Sequence, residues 1–90
     1  MTTKNKIKPK RKDKITLFGK RLRKLRLEKG WSQQELANKL GCSKSLISFY
    51  ENAQREAGFT VLYELSEIFG VNAGYLSGEL PEEPKLKKIV

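Results

Sequence analysis

Gly41 divides two short amphipathic segments, SQQELANKL (32–40) and SKSLISFYEN (43–52), and each opens on its own helix-start signal. Ser32 and Glu35 form a capping-box pattern, in which hydroxyl and carboxylate each satisfy one orphan backbone donor. Trp31 and Leu36 occupy the N′ and N4 positions of a hydrophobic staple. Gly41 stands where a helix C-terminus turns left-handed, a conformation that glycine adopts without steric strain. Ser43 is the second N-cap. The spacing therefore predicts helices over 33–40 and from 44 onward, joined by Gly41, Cys42 and Ser43. Helices so short and so closely joined must cross steeply, and the small Ala37 lets one approach the other. Leu36, Leu40, Cys42, Ile47 and Tyr50 then converge on one side, with Leu46 at its edge.

The same periodicity organises the rest of the chain. From Thr16 onward, Leu17, Phe18, Leu22 and Leu25 recur at helical steps among Lys and Arg, until Gly30 closes the helix. Residues 52–58 hold no apolar anchor and read as a loop. A helix over 59–69 carries Leu62, Leu65 and Phe69 on one face, Glu64 and Glu67 outside, and Gly70 at its end. Val71, Tyr75 and Leu76 make a short fifth helix behind an Asn72 cap. No strand pattern and no internal repeat is visible. The expected fold class is all-α, a compact five-helix domain over 15–78. Pro9 and the lack of periodicity make residues 1–14 a disordered basic N-terminal arm. Pro81, Glu82, Glu83 and Pro84 make 79–90 an extended C-terminal tail.

Charge is distributed unevenly. Of the net +9, residues 1–14 supply +6, residues 15–30 supply +5 and residues 31–90 supply −2. The arm alone holds Lys4, Lys6, Lys8, Lys10, Arg11, Lys12 and Lys14 against Asp13. Such asymmetry is expected of a polyanion-binding face with an arm; for the arm, a solvated surface that aids solubility is the plain alternative. A single Cys and no His exclude an internal disulfide and a Cys/His zinc site, so no metal and no cofactor are expected. The acids are scattered and form no catalytic constellation, which argues against an enzyme. Met1 is followed by lysines and by no apolar run, so no membrane segment is expected and a reducing cytosol is the simplest location.

Two short helices crossing steeply across a three-residue turn have the helix-turn-helix geometry, whose second helix enters the DNA major groove. An ordinary helical hairpin has the same spacing, and the adjoining basic excess favours the DNA reading. The sequence also resembles the phage-repressor (Cro/Xre-type) helix-turn-helix regulators, through FGKRLRKLRLEKGWSQQELANKLG, SKSLISFYEN and LSEIFGVNAGYLSG. The resemblance covers roughly residues 17–78. It implies a lambda-repressor-like domain that binds double-stranded DNA, as a repressor and a homodimer on a palindromic operator, in the cytoplasm and nucleoid of a prokaryote or phage-infected cell. It also implies that Lys44, Ser45 and Phe49 face base edges, that Gln33 touches a phosphate, and that Ser43 and Asn52 approach the backbone. Arg26 and Glu51 would form an ion pair linking the first helix to the third.

The residues support these roles separately. Lys44 is long enough to reach guanine O6 and N7, and Ser45 can donate or accept at short range. Ser48, one turn on, joins the same face, and Arg55 in the loop would attract a phosphate. Phe49 departs from the family's polar reader; outward, it would pack against thymine methyl groups, or meet a protein partner. Ala53 stands where the family often has Gly, and Ala57 where it often has Pro, so the third helix is expected to run on or end differently. An alternative function is an antitoxin or protein-binding antagonist that grips its partner through Phe49, Trp31 or residues 85–90.

Overall fold

The computed structural model describes residues 11–81, and those residues form five α-helices and no strand. They are α1 (Arg11–Glu28), α2 (Gln33–Leu40), α3 (Lys44–Glu51), α4 (Phe59–Phe69) and α5 (Ala73–Ser77). Each helix places one completely buried aliphatic side chain at the centre: Leu22, Leu36, Ile47, Leu65 and Leu76. At about 1.5–3 kcal/mol for each such side chain withdrawn from water, these five positions hold the helices together. Phe18, Leu25, Ala37, Tyr50, Phe69 and Tyr75 complete the core. Trp31 packs against it, with its ring 5.5 Å from that of Phe69 and the Lys39 ammonium 4.5 Å above it. Trp31 is thereby engaged in the fold.

The caps explain the boundaries of α2 and α3. Ser32 Oγ accepts from Glu35 N at 3.0 Å, while Glu35 Oε1 accepts from Ser32 N at 2.7 Å, closing the capping box. Gly41 takes φ 82° and returns its N–H to the Ala37 carbonyl. Ser43 Oγ then accepts from Leu46 N at 3.1 Å and starts α3. The turn is fixed at both ends by local chemistry.

Two expected boundaries need correction. The first helix begins at Arg11 and not at Thr16, so Arg11, Lys12 and Lys14 belong to a helix rather than to a disordered arm. Apolar periodicity starts only at Ile15 and Leu17, but Lys and Arg are good helix formers and Asp13 complements the helix N-terminus. Lys14 also reaches across the fold to Glu79 Oε2 at 2.7 Å. Lys4, Lys6, Lys8 and Lys10 lie outside the described residues. At the other end, residues 79–81 fold back instead of trailing away. Glu79 N and Leu80 N both donate to the Gly74 carbonyl, at 3.0 and 3.1 Å. Arg21 donates to the carbonyls of Leu80 at 2.7 Å and of Pro81 at 2.5 Å. The rest of the expected tail, 82–90, lies outside the described residues.

Candidate nucleic-acid interface

α3 is divided by its own periodicity. Ile47 and Tyr50 point into the core, and Tyr50 meets Phe18 edge to face with ring centroids 5.4 Å apart. On the opposite side Lys44 and Ser45 are exposed, Phe49 is 40% exposed, and Ser48 is half-buried. The outward orientation expected of Phe49 is therefore the one observed. Its ring has company, because the Arg55 guanidinium carbon lies 5.8 Å from the ring centroid. Exposed cation–π pairs of this kind contribute about 0.5–1 kcal/mol. A loop cation and a helix aromatic thus share one stretch of surface.

Ser48 and Asn52 turn towards each other. Asn52 Nδ2 donates to the Ser48 carbonyl at 3.0 Å and to Ser48 Oγ at 3.3 Å, closing the end of α3. The Ser48 hydroxyl is consequently engaged, as that of Ser43 is in capping Leu46 N. Beyond Asn52 the chain leaves the helix abruptly. Ala53 adopts φ 61°, and Gln54 N donates to the Phe49 carbonyl at 2.8 Å. α3 ends where a glycine would normally end it, with Ala in a left-handed conformation that is unfavourable for any residue carrying a Cβ.

Gln33, at the first position of α2, is half-buried, and its Nε2 donates to Glu51 Oε1 at 3.1 Å. Glu51 in turn receives Arg26 in bidentate fashion, Nε to Oε2 at 2.6 Å and Nη2 to Oε1 at 3.0 Å. The remaining Arg26 nitrogen, Nη1, donates to the Trp31 carbonyl at 2.8 Å. Side-chain exposure falls to 9% for Arg26 and 2% for Glu51. One carboxylate therefore joins the end of α1, the start of α2 and the end of α3. Close planar geometry and full use of its donors are what allow such a pair to be taken out of water.

Sequence reasoning missed two positions on α1. Arg21 contributes to the basic excess of residues 15–30, but it is 8% exposed and its guanidinium carbon lies 4.3 Å from the Tyr75 ring centroid. The signal was present: position 21 falls three after Phe18 and four before Leu25, on the apolar stripe itself. Gly19 is the second, an isolated glycine inside a helical pattern, which calls for a packing reason. Cys42 is half-buried, and burial pushes its thiol up from the usual range. The Tyr50 phenol is likewise raised, first by burial and then by its proximity to Cys42, with Arg55 opposing. Among the described residues no group of His, Cys, Asp and Glu is arranged to hold a metal, and no helix is long and apolar enough to cross a membrane.

Comparison with known proteins places this arrangement. A helix-turn-helix family model matches residues 22–76. The chain is similar to YonR, a prophage-derived HTH-type transcriptional regulator of Bacillus subtilis strain 168, with 40% identity over 60 residues. It is also similar to the HTH-type transcriptional regulator RamB of Mycobacterium tuberculosis, with 38% identity over 64 residues. These matches cover 67% and 71% of this chain, but only 56% of YonR and 14% of RamB. Among solved structures, the restriction-modification controller protein C.AhdI of Aeromonas hydrophila superposes with a TM-score of 0.64 and 32% identity. That match covers 69% of this chain and 94% of C.AhdI. On this matched span, which takes in all of α2, α3 and α4, the chain belongs to the helix-turn-helix family of Cro/Xre type, a family of DNA-binding domains.

Proposed function

We propose that this chain is a sequence-specific, double-stranded-DNA-binding transcriptional regulator, a repressor that binds a palindromic operator as a homodimer and inserts α3 into the major groove. The observation that carries the reading is the division of α3. Ile47 and Tyr50 fix one face to the core, leaving Lys44, Ser45 and Phe49 exposed on the other. In this reading Lys44 addresses a guanine, Ser45 makes a short-range base contact with Ser48 beside it, and Phe49 covers a thymine methyl group. Gln33, Ser43, Asn52 and Arg55 approach phosphates, and the amide groups at the starts of α2 and α3 favour the same anions. The lysines of residues 1–10, with Arg11 and Lys12, add attraction that does not depend on sequence. Dimerisation is a matter of reach. One helix spans few base pairs, and a two-fold pair reads two half-sites about 34 Å apart.

The decisive experiment is selection from a random duplex library at about 150 mM salt, where screening suppresses the non-specific background. Enrichment of a palindrome with half-sites one helical turn apart is the expected result. Binding that vanishes as salt rises, with nothing enriched, would reduce the domain to a basic polyanion-binding surface. It would also favour the second reading, a protein-binding antagonist or antitoxin. The exposed Phe49, and the exposed and mutually stacked Phe59 and Tyr63 on α4, are the features that support it.

A further inference from the structure

Gly19 sits in the interior of α1, where glycine weakens a helix relative to alanine. The reason lies across the helix crossing. A Cβ built on Gly19 would stand 2.6 Å from the Tyr50 carbonyl oxygen and 2.7 Å from that of Glu51. Both atoms are backbone, and the Tyr50 oxygen already accepts from Ala53 N, so neither can swing aside as a side chain would. The contact is also flanked. Phe18, immediately before Gly19, holds the Tyr50 ring, and Arg26, two turns on, holds the Glu51 carboxylate. The C-terminal turn of α3 is thus seated on the bare backbone of α1 and fastened on either side.

We infer that Gly19 is a positioning residue for DNA reading: the missing side chain sets the depth and tilt at which α3 is presented, and through them the operator preference. The inference rests on the reading of α3 as the recognition helix. Gly19 is not at the interface and touches no DNA in this scheme. A methyl group there pushes the end of α3 outward while Ile47 keeps its middle in the core, so the helix tilts. Lys44 and Ser45, at the far end, then move relative to Gln33, whose place on α2 is unchanged. Phosphate contacts would persist while base contacts lose register. Specificity should therefore fall further than general affinity.

The test is Gly19→Ala in the full chain, alone and together with Ala53→Gly, which relieves left-handed strain just beyond α3 and offsets lost stability. Two measurements are made on folded protein: the ratio of operator to random-duplex affinity, and backbone amide chemical shifts along α3. The expected result is a fall of about tenfold or more in the ratio, with random-duplex affinity nearly unchanged, the size of losing one good base contact. Amide shifts should move along the whole helix, including Lys44 and Ser45. An unchanged ratio, or shifts confined to residues 49–53, would overturn the inference. So would failure of both variants to fold, since the contact must tilt α3 within an intact domain. If wild-type protein prefers no sequence, the DNA reading itself has failed; the amide shifts then still decide whether Gly19 sets the position of α3.

Discussion

Arg21 and Arg26 lie on the same helix, 8% and 7% exposed, and are neutralised in different ways. Arg26 has a carboxylate, Glu51, with two charged hydrogen bonds between them. Among the described residues Arg21 has only dipoles: the carbonyls of Tyr75, Leu80 and Pro81, at 2.6, 2.7 and 2.5 Å, and the face of the Tyr75 ring. The Tyr75 carbonyl belongs to the last turn of α5, where the helix dipole favours a cation, and it also accepts from Gly78 N at 3.2 Å. One arginine therefore ties α1 to the helices proposed to meet DNA, and the other ties it to α5 and to residues 80–81. The difference predicts unequal responses to mutation. A carboxylate removed from Arg26 leaves a buried charge behind, whereas the part-buried carbonyls released by Arg21 can turn to water.

The largest expected effect is therefore at Glu51. Glu51→Ala leaves Arg26 without its counter-ion and frees the Gln33 amide, for an expected loss of about 3–5 kcal/mol. A domain of this size has on the order of 5 kcal/mol or a little more, so the variant should be near its unfolding midpoint at physiological temperature. Urea unfolding at 25 °C measures it. A loss below about 1 kcal/mol would mean that Arg26 finds water readily and that the two arginines are equivalent.

Arg21→Met is expected to be milder. Methionine keeps an apolar stem against Tyr75 and removes the donors along with the charge. Hydrogen bonds from a charged group contribute about 1.5–3 kcal/mol, but two of the three acceptors are only part-buried and regain water, so a total loss of about 2 kcal/mol is expected. Selected DNA sequences should be those of the wild type, since nothing on α2 or α3 depends on Arg21. A loss exceeding that of Glu51→Ala, or an altered operator preference, would break the distinction between the two arginines.

How far the sequence discloses this arrangement follows the same division. The ranges of α2 and α4 and the caps at Ser32, Ser43, Asn72 and the glycines were legible because each rests on local chemistry within a few residues. The core stripes were legible from periodicity. The start of α1 was missed because its first turn is polar and is held by Glu79, distant in sequence. The burial of Arg21 is hard to read because its charge points to solvent while its position lies on the apolar stripe. Gly19 was passed over because its reason, two carbonyls on α3, appears only when the helices are assembled. The Gln33 amide was expected to be free for phosphate, and its tie to Glu51 likewise exists only in three dimensions. Local signals specify elements, while long-range polar contacts specify how the elements present the candidate site.

Ala53 gives the smallest effect and the most direct check on the Arg26 end. Its φ of 61° costs about 1–2 kcal/mol relative to glycine in the folded state, and glycine returns about 0.4–1 kcal/mol of that through a more flexible unfolded chain. Ala53 is exposed, so removing its methyl group leaves no cavity. Ala53→Gly should therefore raise stability by about 0.5–1 kcal/mol, seen as a higher urea midpoint with an unchanged slope. A lower midpoint would show that the left-handed backbone is not a strain on this loop. The gain should also depend on Glu51. With the carboxylate in place the end of α3 is held against α1, and the chain must turn sharply at Ala53 to reach α4. Without it the last turn is free to relax and the left-handed conformation is no longer imposed. On the Glu51→Ala background the benefit of glycine should then shrink towards zero, a coupling that a double-mutant cycle reads directly. Strict additivity would place the cause of the turn in the loop itself, and the Arg26 clamp would no longer account for how α3 ends.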